Sequence, residues 1–294
     1  MRLPRKYRFI LRSDGLRGHC SRRKYLWFLL PSLLGVSLFV LIPFGDVVRR
    51  SFMTALSGEF CGLDNYVSVF HNQAFRLAVK NTLRFVGVCL PILLVVSLLI
   101  ALAMQWVSAL ERIKTCYLLP MAMPAATVVL VWRLVFAKQG FLSGLLGVQY
   151  DFMAGERAFW VLIATYVWKN LGYTVVLWLA ALRTVPVEIK EAARVDGCGA
   201  VRSFFHITLP YLKGAAYTIG LLSFLNTFKV FREVYLIAGS YPGEEIYLLQ
   251  HVFHNWYTKL DLDKMAAGAV LAATVLGAVA LFMGRLLEDE DEKA

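Results

Sequence analysis

The side chains best suited to chemistry in this sequence are ionisable groups that interrupt long apolar stretches. Lys169 lies near the middle of one stretch, and Lys229, Arg232 and Glu233 lie in a later one. Offsets of three and four residues place the last three on one face of a helix. Charges in an apolar medium are costly, so they mark a cavity, a relay or a partner by default. Lys229 and Glu233 can form an ion pair, leaving Arg232 for an anionic group or a backbone carbonyl. Snorkelling to a polar surface is the competing interpretation.

Aromatic rings and amides accompany these charges. The run from Trp168 to Tyr173 also contains Asn170 and Gly172, and Asn226 precedes the later charges. Rings stack on the apolar faces of sugars, while amides bond their hydroxyl groups. The pattern therefore fits a pocket of sugar size. The competing interpretation is that the rings of Trp168 and Tyr173 pack between helices or lie at the membrane interface. Asn226 would then form an interhelical hydrogen bond.

Other chemistries find little support in the sequence. Arg133 is adjacent to a tryptophan near the end of an apolar stretch, where snorkelling explains it. His251 and His254 are three residues apart with Asp261 and Asp263 nearby, but no third ligand has a fixed place, so no metal site is predicted. The sequence contains no HExxH motif, no GxxxxGK[ST] loop and no evident Ser/His/Asp set. We therefore predict no catalytic residues and no hydrolysis by this chain.

Composition identifies the medium in which these residues lie. Of the 294 residues, 59% are hydrophobic and 17% are charged, and the mean hydropathy is +0.60. These values exclude an ordinary water-soluble globule. A bilayer core needs about 20 apolar residues per helix, which predicts an all-α polytopic membrane protein with six transmembrane helices. The predicted spans are residues 25–48, 80–108, 115–137, 158–183, 213–238 and 264–286.

Charge distribution predicts how these spans are oriented. Nine basic residues lie in residues 1–24, and five lie in residues 183–213. Positively charged flanks favour the cytoplasm, which places both segments there. Six spans return residues 288–294, an acidic tail, to the same side. We interpret residues 25–287 as one membrane domain whose first span is not a cleaved signal peptide.

Residues 184–212, between the fourth and fifth spans, are too polar to enter a bilayer and are patterned like a helix. Thr184 and Pro186 fit an N-terminal cap and first turn, and Asp196 with Gly197 fits the helix end. A one-sided apolar helix outside the membrane needs a partner, which is either another protein or the ends of its own spans. The apolar positions are Ile189, Ala192, Ala193 and Val195.

This segment resembles the EAA loop of bacterial ABC importer permeases, in which EAA, two residues, DG and then I-x-LP follow at fixed spacing. Cys198 replaces the usual alanine, and Gly214 replaces a proline that often follows. Weaker similarities to the carbohydrate-uptake branch, of the maltose and glycerol-phosphate type, extend over nearly the whole chain. The matching loop residues are Glu191, Ala192, Ala193, Asp196, Gly197, Ile207, Leu209 and Pro210.

The resemblance implies a permease subunit of the bacterial cytoplasmic membrane, with both termini cytoplasmic. Its partners would be a second permease subunit, forming a heterodimer, two ATP-binding cassette ATPases and an external solute-binding lipoprotein or periplasmic protein. The loop helix would sit in a cleft of an ATPase, which would hold the ATP and Mg²⁺, while this chain would bind no cofactor.

The resemblance also implies a solute path along the fourth and fifth spans, with Trp168, Gly172, Tyr173 and Asn226 as candidates. A sugar or oligosaccharide is the predicted solute. Because Lys229 and Arg232 are positively charged, a phosphorylated polyol such as glycerol phosphate is the alternative solute. An intramembrane enzyme and a channel without an ATPase are more remote alternatives, which the cytoplasmic loop argues against.

Overall fold

The structure is a computed structural model that describes residues 29–55, 57–106, 114–148 and 150–291. Within these ranges, the regular secondary structure consists of helices, together with one isolated β-bridge between Met53 and Phe60. The all-α prediction is therefore confirmed. The predicted basic tail, residues 1–24, lies outside the described residues.

Helices before the loop at residues 184–212 vary widely in length. The first contains a π-helical turn at Ser37–Leu41, and the longest contains Pro91. They are α1 (Leu29–Arg50), α2 (Asp64–His71), α3 (Gln73–Trp106), α4 (Lys114–Ala122), α5 (Ala125–Phe136), α6 (Phe141–Leu146) and α7 (Glu156–Leu182).

Shorter helices dominate the rest of the chain until the last one. A π-helical turn at Phe204–Thr208 and 3₁₀ turns at Phe228–Val230 and Glu244–Ile246 lie between them. They are α8 (Val187–Val195), α9 (Ala200–Ser203), α10 (Leu209–Tyr211), α11 (Lys213–Thr227), α12 (Phe231–Ala238), α13 (Leu249–Thr258) and α14 (Leu262–Asp291).

Four helical stretches among the described residues are long and apolar enough to cross a membrane, and a fifth qualifies if α7 and α8, bent by 69°, form one span. The predicted count of six is thus not confirmed. The third predicted span is broken at Pro124, where the chain becomes extended before α5 begins. The fifth, residues 213–238, is divided by a 3₁₀ turn. The last helix continues to Asp291, so the predicted acidic tail begins as helix.

The core is formed mainly where α3 packs along α7. Phe85 and Leu93 of α3 are buried in one cluster with Phe159 and Tyr166 of α7. The Tyr166 hydroxyl donates a hydrogen bond to the backbone carbonyl of Ser223, which ties α7 to α11. Between helices that lie in a bilayer, such side chains stabilise the contact by van der Waals packing, because lipid is as apolar as the core. This frame fixes the face of α7 that carries Lys169.

Candidate functional site

The predicted polar residues of the fourth and fifth spans converge on one cavity of about 260 Å³. It lies between the break that separates α4 from α5, the middle of α7 and the junction of α11 with α12. The predicted residues that line it are Lys169, Asn170, Asn226, Lys229, Arg232 and Glu233. Two chain segments far apart in sequence thus contribute to a single polar site.

Helical geometry explains why these side chains share a wall. On α7, Lys169 lies four residues after Thr165, and Asn170 lies four residues after Tyr166. All four residues line the cavity. Sequence reasoning missed Thr165 and Tyr166, although their spacing from Lys169 and Asn170 was a usable signal. The opposite wall is formed by the end of α11, the 3₁₀ turn and the start of α12. In a 3₁₀ segment, side chains three apart eclipse one another, so the register of this wall differs from that of an α-helix.

Lys169 forms an ion pair with Glu233, with 2.5 Å between Nζ and Oε1. The Glu233 side chain is only 4% exposed and that of Lys169 is 19% exposed. The alternative in which Lys229 pairs with Glu233 is not realised. The 3₁₀ turn at Phe228–Val230 shifts the helical register, so Lys229 is exposed while Glu233 is buried toward α7.

Lys229 and Arg232 are the other cations that line the cavity, and both side chains are exposed. In the part of the chain that the structure describes, neither has a hydrogen-bond or ion-pair partner. Because Lys169 and Glu233 neutralise each other, the cavity wall carries an excess of positive charge.

The two amides differ in how they are held. Asn170 Nδ2 donates to the backbone carbonyl of Tyr166 at 2.8 Å, which fixes its rotamer along α7. Asn226 lines the cavity, and within the described ranges its side chain has no hydrogen-bond partner. The alternative of an interhelical hydrogen bond is therefore not seen for Asn226, whose amide can bond a ligand instead.

The predicted aromatic residues do not line this cavity. The Trp168 ring meets Trp132 of α5 at a centroid distance of 5.4 Å, and Trp132 in turn packs against Phe136. Gly172 is buried and Tyr173 is partly buried on α7. These contacts favour helix packing for Trp168. Solute contact by Trp168, Gly172 and Tyr173 stays a prediction.

Arg133 has a defined structural partner. Its Nη2 donates to the carbonyls of Leu236 and Ile237 at 3.2 and 3.1 Å. Carbonyls in the last turn of a helix lack partners within the helix, so this cation satisfies the end of α12 and ties it to α5. Sequence spacing alone predicted only snorkelling, because the contact spans 103 and 104 residues.

The loop predicted to be cytoplasmic forms the short helix α8, whose end agrees with the prediction. Gly197 has a φ of +77°, the left-handed conformation expected of it. The Cys198 N–H donates to the Ala193 carbonyl at 2.8 Å and the Gly197 N–H donates to the Arg194 carbonyl at 3.1 Å. This pair of bonds is a Schellman motif, which ends a helix and favours glycine at the left-handed position.

The start of α8 differs in part from the prediction. Pro186 is the residue before the helix, not a residue of its first turn as predicted. The Thr184 hydroxyl instead donates to the Ala181 carbonyl at 2.8 Å, so it satisfies the end of α7. Thr184 as a cap of α8 is therefore wrong, because a hydroxyl can bond backward to the preceding turn as readily as forward.

The surface of α8 is not covered by the rest of the described chain. None of its residues is buried, and Val195 is 89% exposed. Val187, at the start of α8, is also exposed, as are Val201 and Phe205 after the helix. The interpretation that the apolar face packs on its own spans is thus not observed. Of the matching loop residues, the exposed ones are Glu191, Ala192, Asp196, Gly197 and Pro210, and the partly buried ones are Ala193, Ile207 and Leu209.

The histidines near the end of the chain pack among aromatic rings. Among the described residues, no group of three or more potential metal ligands is present. His251 is fully buried, accepts the Leu248 N–H through Nδ1 at 3.1 Å and packs on Phe231. Burial lowers the pKa of His251 to about 4. His254 packs on the rings of Phe231 and Tyr235.

Comparison with known sequences gives one family over most of the chain. The sequence model of the family described as the binding-protein-dependent transport system inner membrane component matches residues 71–290. UgpA of Yersinia enterocolitica, an sn-glycerol-3-phosphate transport system permease protein, is 29% identical over 283 residues, covering 92% of this chain and 95% of the relative. YurN of Bacillus subtilis, a probable ABC transporter permease protein, is 28% identical over 267 residues, covering 85% and 89%.

Solved structures show the same fold. A chain of a bacterial ABC transporter involved in the import of the acidic polysaccharide alginate has a TM-score of 0.78 at 20% identity, covering 91% of this chain and 96% of that chain. A chain of the alginate transporter in complex with a periplasmic protein that holds an alginate pentasaccharide has a TM-score of 0.76 at 21% identity, with coverages of 90% and 94%.

Proposed function

Because the chain belongs to the family of binding-protein-dependent transport system inner membrane components, we propose that its cavity is a solute site through which a sugar or oligosaccharide is imported. The single observation that carries this proposal is the convergence of Asn170 and Asn226 with four charged side chains on one cavity within the helical bundle. Ionisable and amide groups within apolar helices are expensive, so a cluster of them marks a path for a polar solute.

The size and chemistry of the cavity suit a small carbohydrate. Ligand pockets typically enclose about 300–1,000 Å³, and this cavity of about 260 Å³ lies just below that range, which favours a small solute. Its amides donate and accept hydrogen bonds, as hydroxyl groups require. The names of the relatives point to similar solutes, since UgpA belongs to a glycerol-3-phosphate system and the structural neighbours import an acidic polysaccharide.

Energy for import would come from partner chains, because the sequence has no loop that cradles nucleotide phosphates. We propose that α8 docks in a cleft of an ATPase that holds ATP and Mg²⁺, with two such ATPases per transporter. The exposed apolar residue Val195 and the exposed carboxylate of Glu191 support a docking role. A second permease subunit and an external solute-binding protein complete the proposed assembly, with both termini of this chain in the cytoplasm.

The experiment that tests the solute site replaces each amide by a hydrophobic residue of similar size. Asn170→Leu and Asn226→Leu should each lower sugar uptake by roughly tenfold, since a lost hydrogen bond to a polar solute is worth about 0.5–1.5 kcal/mol and the unpaired solute group adds to this. Uptake is measured in cells at matched membrane abundance of the permease.

Thr218→Val is the matched control, because Thr218 lies on α11 with its exposed hydroxyl bonded to its own helix. It should retain uptake. Normal uptake in the Asn170→Leu/Asn226→Leu double variant would contradict the proposed solute site.

A further inference from the structure

The charges on the cavity wall do not sum to zero. Four charged side chains line the cavity, and one pair, Lys169 with Glu233, is mutually neutralised by direct contact. Lys229 and Arg232 remain, and no described acidic side chain lies within ion-pair distance of either. Two uncompensated cations in a concave, partly apolar site raise the local concentration of anions.

The geometry of the 3₁₀ turn explains why Glu233 does not offset these cations. Asn226, Lys229 and Arg232 follow one another at intervals of three across the turn and line the same wall. Glu233 is the next residue along the chain, but it is buried against α7, where Lys169 holds one carboxylate oxygen. The ion pair therefore keeps the only cavity carboxylate among the described residues away from the two free cations.

We infer that the transported carbohydrate carries an anionic group, phosphate or carboxylate, which binds between Lys229 and Arg232 while Asn226 and Asn170 bond its hydroxyl groups. A guanidinium presents a planar fork of N–H donors that matches two oxygens of either anion, and an ammonium adds a second positive charge. This inference rests on the proposed function, and it narrows the solute class from carbohydrates in general to acidic ones.

The test measures binding directly on the assembled transporter. The complex is purified in lipid nanodiscs through a tag on this chain, and equilibrium dialysis measures three labelled probes. These are sn-glycerol 3-phosphate, a trisaccharide of uronic acids and the neutral trisaccharide maltotriose. We expect at least one anionic probe to bind at least tenfold more tightly than maltotriose. The stronger of the two anionic probes distinguishes phosphate from carboxylate.

Variants assign the binding to the two cations. Lys229→Gln and Arg232→Gln should each weaken the binding of the anionic probe by roughly tenfold, the lower end of the range for a hydrogen bond to a charged group. Lys229→Arg should retain binding because it keeps the charge. Lys138→Gln is the matched control, since Lys138 is an exposed cation that does not line the cavity.

Several results would overturn the inference. These are equal binding of maltotriose and the anionic probes, unchanged anion binding in the Lys229→Gln/Arg232→Gln variant, or no anion binding by the wild-type complex. Loss of the second permease subunit from the Lys229→Gln or Arg232→Gln complex would also overturn it, by assigning the cations to a subunit interface. Uptake of maltotriose alone would overturn the inference and keep the proposed import function. Failure to transport any solute would reject the import function itself.

Discussion

Glu233 is a carboxylate buried within the bundle, and its ionic partner among the described residues is Lys169 of α7. One of its oxygens, Oε2, has no hydrogen-bond partner there. Removing one partner of a buried pair leaves the other charge uncompensated, which costs more than the intact pair contributes. The pair therefore positions α12 against α7 chiefly because neither charge is tolerated alone.

A double-mutant cycle tests this coupling. Lys169→Met should lower the free energy of unfolding by roughly 1–3 kcal/mol, somewhat below the usual cost because the lysine retains some contact with solvent. Lys169→Met/Glu233→Leu should regain most of that loss, since no buried charge remains. Tryptophan fluorescence during thermal unfolding in detergent compares the stability of the variants with that of the wild type. If the double variant loses as much as the two single variants together, the residues are not coupled.

His251 predicts a pH dependence of stability near the end of the chain. Burial lowers its pKa to about 4 in the folded protein, against about 6.5 for an unfolded histidine. Between these values the unfolded chain binds more protons, so the contribution to stability is fully present above about pH 6.5 and is lost as the pH falls toward 4.

His251→Gln keeps an acceptor for the Leu248 N–H and removes the titrating group. The fall in Tm between about pH 7.5 and about pH 5 should be several degrees smaller for this variant than for the wild type. His71→Gln, at an exposed position on α2, is the control and should keep the wild-type dependence. Equal pH dependence in all three proteins would reject His251 as the origin.

At the end of helix α8, the backbone conformation of Gly197, and not the space around it, limits which residues can replace it. A Cβ added at Gly197 would meet no atom of this chain within 4 Å, so a substitution there is limited by its φ of +77°. The left-handed conformation costs a non-glycine residue about 1–2 kcal/mol. That is too little to unfold the bundle, whose core lies elsewhere.

Gly197→Asp should therefore reach the membrane at normal abundance and fail in coupling, because the new side chain and charge lie where a partner would dock. We expect at least a tenfold loss of co-purifying ATPase and of solute uptake. Glu191→Ala should have a milder effect, since it removes one polar contact and leaves the backbone unchanged. Retention of both ATPase and uptake in Gly197→Asp would show that α8 does not bind the ATPase.

Hydropathy and charge spacing in the sequence predict most of the long helices, but fewer of the contacts between them. The helix from Glu156 to Leu182 agrees closely with the predicted span 158–183, because a long apolar run has few alternatives to a helix. The break at Pro124 and the 3₁₀ turn at Phe228–Val230 were not predicted, since an apolar window averages over such local changes.

The cavity residues were predictable from the sequence, but their pairing was not. Six of the predicted polar residues line one cavity, because ionisable and amide groups are rare in apolar helices and tend to cluster where they occur. The Lys169–Glu233 contact joins positions 64 residues apart, and spacing rules extend only to neighbouring turns. Trp168 is a candidate for the path because of its chemistry, and its contact with Trp132 of α5 is another pairing that spacing rules do not predict.

The chain as a whole combines two features that support the proposed import function. It has a polar cavity of about 260 Å³ within its helices and an exposed, partly apolar helix outside them. The family match over residues 71–290 makes the chain an inner membrane component of a binding-protein-dependent transport system. Its sequence contains no GxxxxGK[ST] loop, which is why the proposed function assigns ATP hydrolysis to partner chains.

We propose that this chain moves solute only when a separate ATPase drives it, and a measurement of ATP hydrolysis by purified samples gives the sharpest test of this proposal. The tagged chain is purified twice from membranes, once with its co-purifying partners and once after a wash that removes them, and both samples are reconstituted in lipid. We predict solute-stimulated hydrolysis by the first sample and none by the second. Undiminished hydrolysis by the chain stripped of its partners, or the absence of any ATPase among them, would contradict the claim.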